Sequence, residues 1–209
     1  MSKRMRDAAL HAHNEHRVQL AMGQVWTTYR GHHEKFPQAA NMRRMEYSCS
    51  LEKKARNDIL KQGCKKIPDR ITFNDTERNY RYIDARFQNY ILSRSPEKAL
   101  AEAAEEWWKL HLYNNNFTDL TPQPGDFPTI PFLLMANAAT DKIGCAVDLC
   151  TITTNFHKIE KYYFVLCHYE ENGHVKVGEP LYTEGPPCSE CPDGYECDEE
   201  KILCRRKRK

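Results

Sequence analysis

Residues 143–169 of the chain read IGCAVDLCTITTNFHKIEKYYFVLCHY. Two runs within this segment, Val147–Thr154 and Tyr162–Tyr169, are rich in β-branched and aromatic residues and alternate in character. Such composition is typical of β-strands. Because only a short connection around Phe156 and His157 separates the two runs, they are predicted to form an antiparallel hairpin.

Three helices are predicted on the N-terminal side of this hairpin. Apolar residues recur at helical spacing over Met5–Met22, where Gly23 follows as a stop, and again over Leu51–Gly63. A third helix begins near Pro96 and runs to about Leu112. The buried side of the second helix is predicted to consist of Leu51, Ala55, Ile59 and Leu60. Helices followed by strands indicate an α+β domain whose helices pack on an antiparallel sheet.

The stretch between the third helix and the hairpin is rich in proline. Its prolines are Pro122, Pro124, Pro128 and Pro131. Each proline lacks a backbone N–H and restricts the conformation of the residue before it. We therefore expect a long loop here that delays the next regular element until about Ile143.

The composition is that of a folded globular chain. Hydrophobic residues make up 40% of the 209 residues and charged residues 29%, which excludes an intrinsically disordered protein. The 31 basic and 29 acidic side chains leave a formal charge of only +2, so no nucleic acid is expected as a partner. No apolar stretch is long enough to predict a membrane span. Since no known catalytic motif occurs, we predict that the protein is not an enzyme.

The chain contains nine cysteines, which is a high density for a reduced cytosolic protein and indicates a secreted, extracellular one. Met1–Leu20 has no apolar h-region, so we expect a signal peptide to have preceded Met1 and to have been removed. Two tripeptides are candidate N-glycosylation sites, as expected for a secreted chain. They begin at Asn74 and Asn116.

Four of the cysteines are close together near the C-terminus. They are Cys188, Cys191, Cys197 and Cys204. Their spacing is compatible with a zinc site, but Gly185-Pro186-Pro187 before them and Asp193-Gly194 among them favour a small knot of two disulfides. The other five are Cys49, Cys64, Cys145, Cys150 and Cys167. Four of these are predicted to form two bridges that tie a helix to the hairpin, and the fifth is either free or paired upstream of Met1.

Two further groups of residues have both a functional and a structural interpretation. His13 and His16 lie three residues apart in the first predicted helix and could share a metal ion, but we interpret them as structural residues of that helix. The five basic residues at 205–209 suggest contact with a heparin-like polyanion, but we interpret them as a solvated tail.

Five segments follow one another in an order and spacing that carry a family resemblance. They are His13-Asn14-Glu15-His16-Arg17, Met42–Glu52, Trp107-Trp108, Lys142-Ile143-Gly144-Cys145 and Leu181–Cys191. The segments are distributed over nearly the whole length of the chain. Through them, the chain resembles the cysteine-rich secretory, antigen 5 and pathogenesis-related (CAP) superfamily. Within that family, the last segment is most similar to the secreted, venom-allergen-like proteins of parasitic nematodes such as hookworms.

The resemblance implies a fold and a domain organisation. The fold is a three-layer α-β-α sandwich, which agrees with the α+β class predicted from the helices and strands. It is expected to occupy residues 1–177 as a CAP domain. Residues 178–209 are expected to form a hinge and a small disulfide-rich extension with a basic C-terminus.

Many members of the family carry two His and two Glu around a large cleft, a set that can hold a divalent metal. In this chain Pro68 and Pro131 match the two histidine positions, and Arg78 and Leu110 match the two glutamate positions. Proline and leucine side chains offer no ligand atom, and an arginine repels a cation. A one-residue gap would bring in Glu77, but one carboxylate does not rebuild the site. We therefore predict a degenerate cleft without a metal or other cofactor.

The resemblance further implies a secreted, non-enzymatic protein of a parasitic nematode that acts on its host. The expected partner is a host cell-surface protein, such as an integrin or another receptor or adhesion molecule of leukocytes or platelets. The chain contains neither Arg-Gly-Asp nor Lys-Gly-Asp, so an integrin would have to bind another surface. Carriage of a sterol or fatty acid is the alternative. A hydrolase acting in the altered cleft is the weakest hypothesis, since no nucleophile is found.

Overall fold

The computed structural model describes residues 1–29, 32–64, 77–87, 92–113, 121–124, 129–153 and 159–208. Its helices and strands are, in chain order, α1 (Lys3–Ala21), β1 (Trp26–Tyr29), β2 (His32–Lys35), β3 (Glu46–Tyr47), α2 (Cys49–Gln62), β4 (Arg78–Asp84), β5 (Arg86–Phe87), β6 (Leu92–Ser93), α3 (Pro96–Trp108), α4 (Ile130–Ala136), β7 (Lys142–Thr153), β8 (Ile159–Tyr169), β9 (Tyr195–Cys197) and β10 (Cys204–Arg206). Two 3₁₀ helices, Lys109–Tyr113 and Glu171–Gly173, follow α3 and β8. None of the described helices is long and apolar enough to cross a membrane.

The main sheet has four strands in the order β3-β7-β8-β4. β7 and β8 form the predicted antiparallel hairpin, and β4 pairs with the other edge of β8. β3 is short and pairs in parallel with the first two residues of β7. The α+β class is confirmed, but the first hairpin strand begins at Lys142 and not at Val147. Its opening residues are buried one after another, so they show no alternation in the sequence.

Helices cover both faces of the sheet. α2 packs on one face, whereas α1, α3 and α4 pack on the other. β8 contributes to both cores in alternation, because Val165 and Cys167 lie in the larger core and Phe164 and Leu166 in the smaller core beneath α2. This arrangement is the expected three-layer α-β-α sandwich.

Each long helix begins after a serine whose hydroxyl accepts a hydrogen bond from the backbone N–H three residues later. These serines are Ser2, Ser48 and Ser95. In α2, Ala55 and Ile59 are buried as predicted and Leu51 is half-buried, but the prediction for Leu60 is wrong, because its side chain is 65% exposed. Leu60 follows Ile59 by about 100° around the helix and therefore points past the sheet into solvent.

Several elements were not predicted from the sequence, and α4 and β4 are the ones that matter for the cleft. α4 lies inside the stretch that we expected to be a loop, and all seven of its residues are buried. Pro131 occupies its first turn, where no intrahelical N–H is required, so this proline is compatible with a helix. β4 was hidden in a mixed stretch because Arg78, Asn79 and Arg81 interrupt its apolar residues.

Eight of the nine cysteines are paired in the structure. Cys64–Cys150 joins the second residue after the C-terminal end of α2 to β7, and Cys145–Cys167 joins β7 to β8. Only the first of these ties a helix to the hairpin, because Cys145 and Cys167 stand directly opposite each other on neighbouring strands. The tail contains Cys188–Cys197 and Cys191–Cys204, and Cys49 is free and exposed.

The C-terminal segment packs against the sandwich. Leu181, Tyr182 and Leu203 are buried in the larger core. The backbone N–H of Cys204 donates to the carbonyl of Met42, and that of Arg44 donates to the carbonyl of Cys204. The stretch that we expected to be a hinge is therefore held at Leu181 and Tyr182, two residues of the core.

Candidate functional site

Three of the four positions matched to the family cleft lie in the described part of the chain. Arg78 is the first residue of β4, Leu110 lies in the 3₁₀ helix after α3, and Pro131 lies in α4. Pro68 lies outside the described residues, and so do the candidate glycosylation sites Asn74 and Asn116.

The side chain of Arg78 points to the α2 face of the sheet. Its Nη1 donates to Asp58 Oδ2 at 2.7 Å, and Nε2 of His168 lies 2.8 Å from the same oxygen. Burial alone would raise the pKa of Asp58, but the hydrogen bonds from His168 and Arg78 outweigh it and hold that pKa below its usual value. The sequence did not reveal this cluster, because Asp58 and His168 are 110 residues apart and only the fold brings them together.

The next residue, Asn79, points to the opposite face and begins a chain of hydrogen bonds. Asn79 Nδ2 donates to the carbonyl of Pro131 at 3.0 Å and to the hydroxyl of Tyr169 at 2.9 Å. His13 Nδ1 lies 2.7 Å from the carbonyl of Ala9 and must donate to it, so Nε2 accepts from the Tyr169 hydroxyl at 3.0 Å. Burial lowers the pKa of His13 to about 3, which keeps the ring neutral.

These contacts decide what the cleft positions can bind. The cation of Arg78 is paired beneath α2, Pro131 offers only a carbonyl that already accepts a hydrogen bond, and Leu110 is a hydrocarbon. Both nitrogens of His13 are engaged as well. The divalent metal that the family implies therefore does not fit these residues. Among the described residues, groups of three or more His, Cys, Asp or Glu close enough to share a metal ion occur only in the C-terminal segment, where the cysteines are joined in disulfides.

A buried arginine holds the loops around this region. Arg17 lies on α1 and is completely buried. The five N–H groups of its guanidinium donate to five backbone carbonyls, those of Arg43, Met135, Asn137, Ala138 and Thr140, in six contacts of which Nη2 makes three, so that one N–H is shared between two carbonyls. Burial lowers the pKa of Arg17 to about 9, which still leaves it charged at neutral pH. The residue thus joins α1, the end of α4 and the segment before β3.

At least three surface clefts formed by the described residues are large enough to receive a ligand or a side chain. One, of about 440 Å³, lies between β3 and the C-terminal residues 198–208. A second, of about 360 Å³, lies between the sandwich and the C-terminal segment and is lined by residues such as Arg43, His174 and Tyr182. The third, of about 320 Å³, lies between the first turn of α1, one side of α2 and one edge of β7. We call it the edge groove. It is lined by Met5, Glu52, Arg56, Ile59, Leu60, Val147 and Asp148, among others.

Comparison with known proteins supports the resemblance seen in the sequence. The Ancylostoma secreted protein of Ancylostoma caninum is 29% identical over 210 residues, a match that covers 98% of this chain and 45% of that protein. Hookworm platelet inhibitor 1 of the same species is 29% identical over 189 residues, covering 84% of this chain and 76% of that protein. The chain thus spans less than half the length of the first of these relatives.

A solved structure and a family model agree with this relationship. The crystal structure of Na-ASP-1 superposes with a TM-score of 0.72 at 27% identity, covering 98% of this chain and 47% of that one. The model of the cysteine-rich secretory protein family, CAP, matches residues 10–169, which is well over half of the chain. The motif-based prediction is confirmed: this chain belongs to the CAP family.

Proposed function

We propose that this protein is secreted by a parasitic nematode and binds a host cell-surface protein, without catalysis, to modulate leukocyte or platelet responses. The similarity to a hookworm platelet inhibitor supports a role in host interaction. The four disulfides fit an oxidising, extracellular compartment. The receptor is a leukocyte or platelet adhesion molecule such as an integrin, which is bound without an Arg-Gly-Asp motif.

One observation carries this proposal. The described cleft positions hold an internally paired arginine, an alkyl side chain and a proline, and the adjacent polar groups hydrogen-bond one another. Described cleft positions that offer neither a free metal ligand nor a free acid or base are poorly suited to hydrolysis. The disulfides make the surface of the fold rigid, and a rigid surface is suited to recognition of another protein.

Adhesion assays test the proposal directly. We expect micromolar protein to reduce the adhesion of human platelets or neutrophils to surfaces coated with their ligands. The matched control is the same protein after reduction and alkylation, which removes the disulfides and should abolish the effect. Unchanged adhesion of both cell types in the presence of the folded protein would contradict the proposal.

A second candidate function is carriage of a sterol or fatty acid. The edge groove favours it, because its volume of about 320 Å³ is at the lower end of the range of small-molecule sites and Met5, Ile59 and Val147 give it apolar walls. A carrier should retain its lipid during purification. Mass spectrometry of organic extracts from protein secreted by eukaryotic cells would detect a bound lipid in near-stoichiometric amount, and an empty extract would exclude the carrier.

A further inference from the structure

The edge groove lies where β7 loses its strand neighbour. β3 pairs only with Lys142 and Ile143 of β7. At Cys145 the hydroxyl of Tyr47 replaces the strand, because it accepts from the backbone N–H of Cys145 at 3.2 Å and lies 3.1 Å from the carbonyl oxygen of the same residue. Its single proton is shared between that carbonyl and the carboxylate of Glu52, which is 2.8 Å away. Both backbone groups of Cys145 therefore point away from β8, toward the outer edge of the sheet.

The same direction recurs at every second residue of a strand. The backbone N–H and C=O of Val147 must then point outward as well, into the edge groove that Val147 lines. The next position agrees, because the outward N–H of Leu149 is bonded to the carboxylate of Asp148 and not to β8. Within the described part of the chain, no residue pairs with the outer backbone groups of Val147. The groove therefore contains an open strand edge.

Apolar side chains stand on both sides of this edge. Met5 of α1 is half-buried on one side, and Ile59 of α2 forms the floor on the other. Leu60, beside Ile59, is 65% exposed, more than any other large hydrophobic residue among those described. An extended chain lying along β7 would place alternate side chains against these two walls.

The rim on the α2 side is basic. Arg56 lines the groove, and Lys53 lies three residues before it on the same side of α2; both are exposed and form no ion pair within the described residues. The groove's two acids contribute less, because Glu52 is neutralised by two hydrogen bonds from Arg6, which leaves only Asp148 exposed. The rim therefore complements a partner of negative charge.

We propose that the edge groove binds an extended segment of a host protein, which adds to β7 as a further strand and carries acidic residues flanking an aliphatic or aromatic side chain. The backbone groups at Val147 supply the pairing, the Ile59–Leu60 surface receives the apolar side chain, and the α2 rim receives the acids. The inference rests on the proposed function, for which it names the binding surface.

Charge and shape distinguish this occupant from others. A second copy of the chain pairing at the same edge would bring two basic α2 rims together, and like charges repel. An anionic bilayer is flat and cannot reach Ile59, which is 4% exposed at the bottom of the groove. A fatty acid would fill the apolar walls but would leave the outer N–H and C=O of Val147 unpaired.

The first test is selection of peptides from a random 12-residue display library against the immobilised protein. We expect the enriched peptides to combine Asp or Glu with an apolar residue, and we expect the Arg56→Glu/Leu60→Asp variant to bind them at least tenfold more weakly. The matched control is Lys176→Glu/Val177→Asp, which makes the same kind of change at an exposed site remote from the groove. Circular dichroism verifies that both variants fold, which is expected because all four side chains are exposed.

The second test uses the best selected peptide with single backbone N-methyl groups along its length. Strand addition at Val147 requires that methylation weaken binding at the peptide residue whose N–H faces Val147 and not at its two neighbours, because the N–H groups of those neighbours point away from β7. The proposal is overturned if the library yields no acidic binder, if Arg56→Glu/Leu60→Asp binds as well as wild type, or if methylation at no single position weakens binding more than methylation at the two adjacent positions. Binding of the protein to phosphatidylserine vesicles, abolished by the same double variant and without any peptide binding, would assign the surface to a membrane instead.

These results separate the inference from the proposed function. If wild type and Arg56→Glu/Leu60→Asp inhibit cell adhesion equally, the proposed function stands and the edge groove is the wrong surface. If wild type leaves adhesion unchanged but binds acidic peptides with this position-specific effect of methylation, the groove is a strand-addition site and the proposed cellular role is wrong.

Discussion

The side-chain amide of Asn79 donates a hydrogen bond of 3.0 Å to the carbonyl oxygen of Pro131, which connects β4 to α4. The same amide group donates to Tyr169, whose hydroxyl donates to His13. The side chain of Asn79 thus connects three elements, β4, α4 and β8. The chain of hydrogen bonds connects β4, α4, β8 and α1 around the described cleft positions.

Replacing Asn79 by alanine should destabilise the protein. The change leaves the buried carbonyl of Pro131 and the buried hydroxyl of Tyr169 without a donor, at a cost of roughly 2–4 kcal/mol in the free energy of unfolding. Urea denaturation measures this loss. Asn172→Ala, at an exposed position, is the control and should change stability by less than about 0.5 kcal/mol. Equal stability of the two variants would show that the hydrogen bonds of Asn79 make no net contribution to the free energy of unfolding.

Replacing Arg17 by methionine should have a larger effect. The substitution keeps most of the side-chain volume but leaves five carbonyls without their common donor, so we expect a loss of roughly 3–5 kcal/mol. Thermal unfolding followed by circular dichroism gives the change in Tm. Arg4→Met is the matched control, because Arg4 lies on the same helix and is exposed. A similar Tm for both variants would contradict this account.

Acid should weaken the fold through His13. Because burial depresses its pKa in the folded state to about 3, the unfolded chain binds a proton below pH 6.5 that the folded chain does not. The contribution of neutral His13 to the free energy of unfolding is therefore fully present above pH 6.5. It decreases, by up to about 1.4 kcal/mol per pH unit, as the pH falls toward the folded pKa. Urea titrations between pH 7.5 and 4.5 should show a shallower pH dependence for His13→Gln. The exposed control His11→Gln should keep the slope of the wild type; a His13→Gln slope that matches it refutes the assignment.

Thiol chemistry checks the cysteine pairing. Eight cysteines are paired and Cys49 is exposed, so the unreduced protein should contain one reactive thiol per chain, both folded and unfolded. An aromatic disulfide reagent measures this number by absorbance. Cys49→Ser should reduce it to zero. Two or more thiols in the unfolded protein would mean that one of the four bridges is absent.

Zinc titration calorimetry checks the cleft. We expect no site of micromolar affinity in the oxidised protein, because Arg78, Leu110 and Pro131 offer no free ligand atom. Protein reduced with a phosphine is the positive control, since it exposes the tail cysteines as thiols that zinc binds. One strong site in the oxidised protein would show that residues other than these positions restore the metal centre.

The sequence alone determined the class of fold and the main helices and strands. Alternation over Tyr162–Tyr169 and helical spacing over Met5–Met22 are local patterns, and each produces its element wherever it can bury one face. The ordered motifs determined the family, and the residue types at Arg78 and Pro131 were enough to predict a cleft without metal ligands. Both predictions rest on residue types and their order in the chain, and neither requires a distance between atoms.

The tertiary structure decided which residues meet. It placed Arg78 and Asn79 on opposite faces of the sheet, buried α4 within a stretch that its prolines made look like a loop, and left Leu60 in solvent. It also opened the edge of β7 at Val147, because β3 is too short to cover it. These features depend on contacts between residues distant in the chain, and such contacts leave no local pattern in a single sequence. The fold class can therefore be predicted from the amino-acid sequence. The candidate binding surface is formed by residues from different layers of the sandwich and can be recognised only in the tertiary structure.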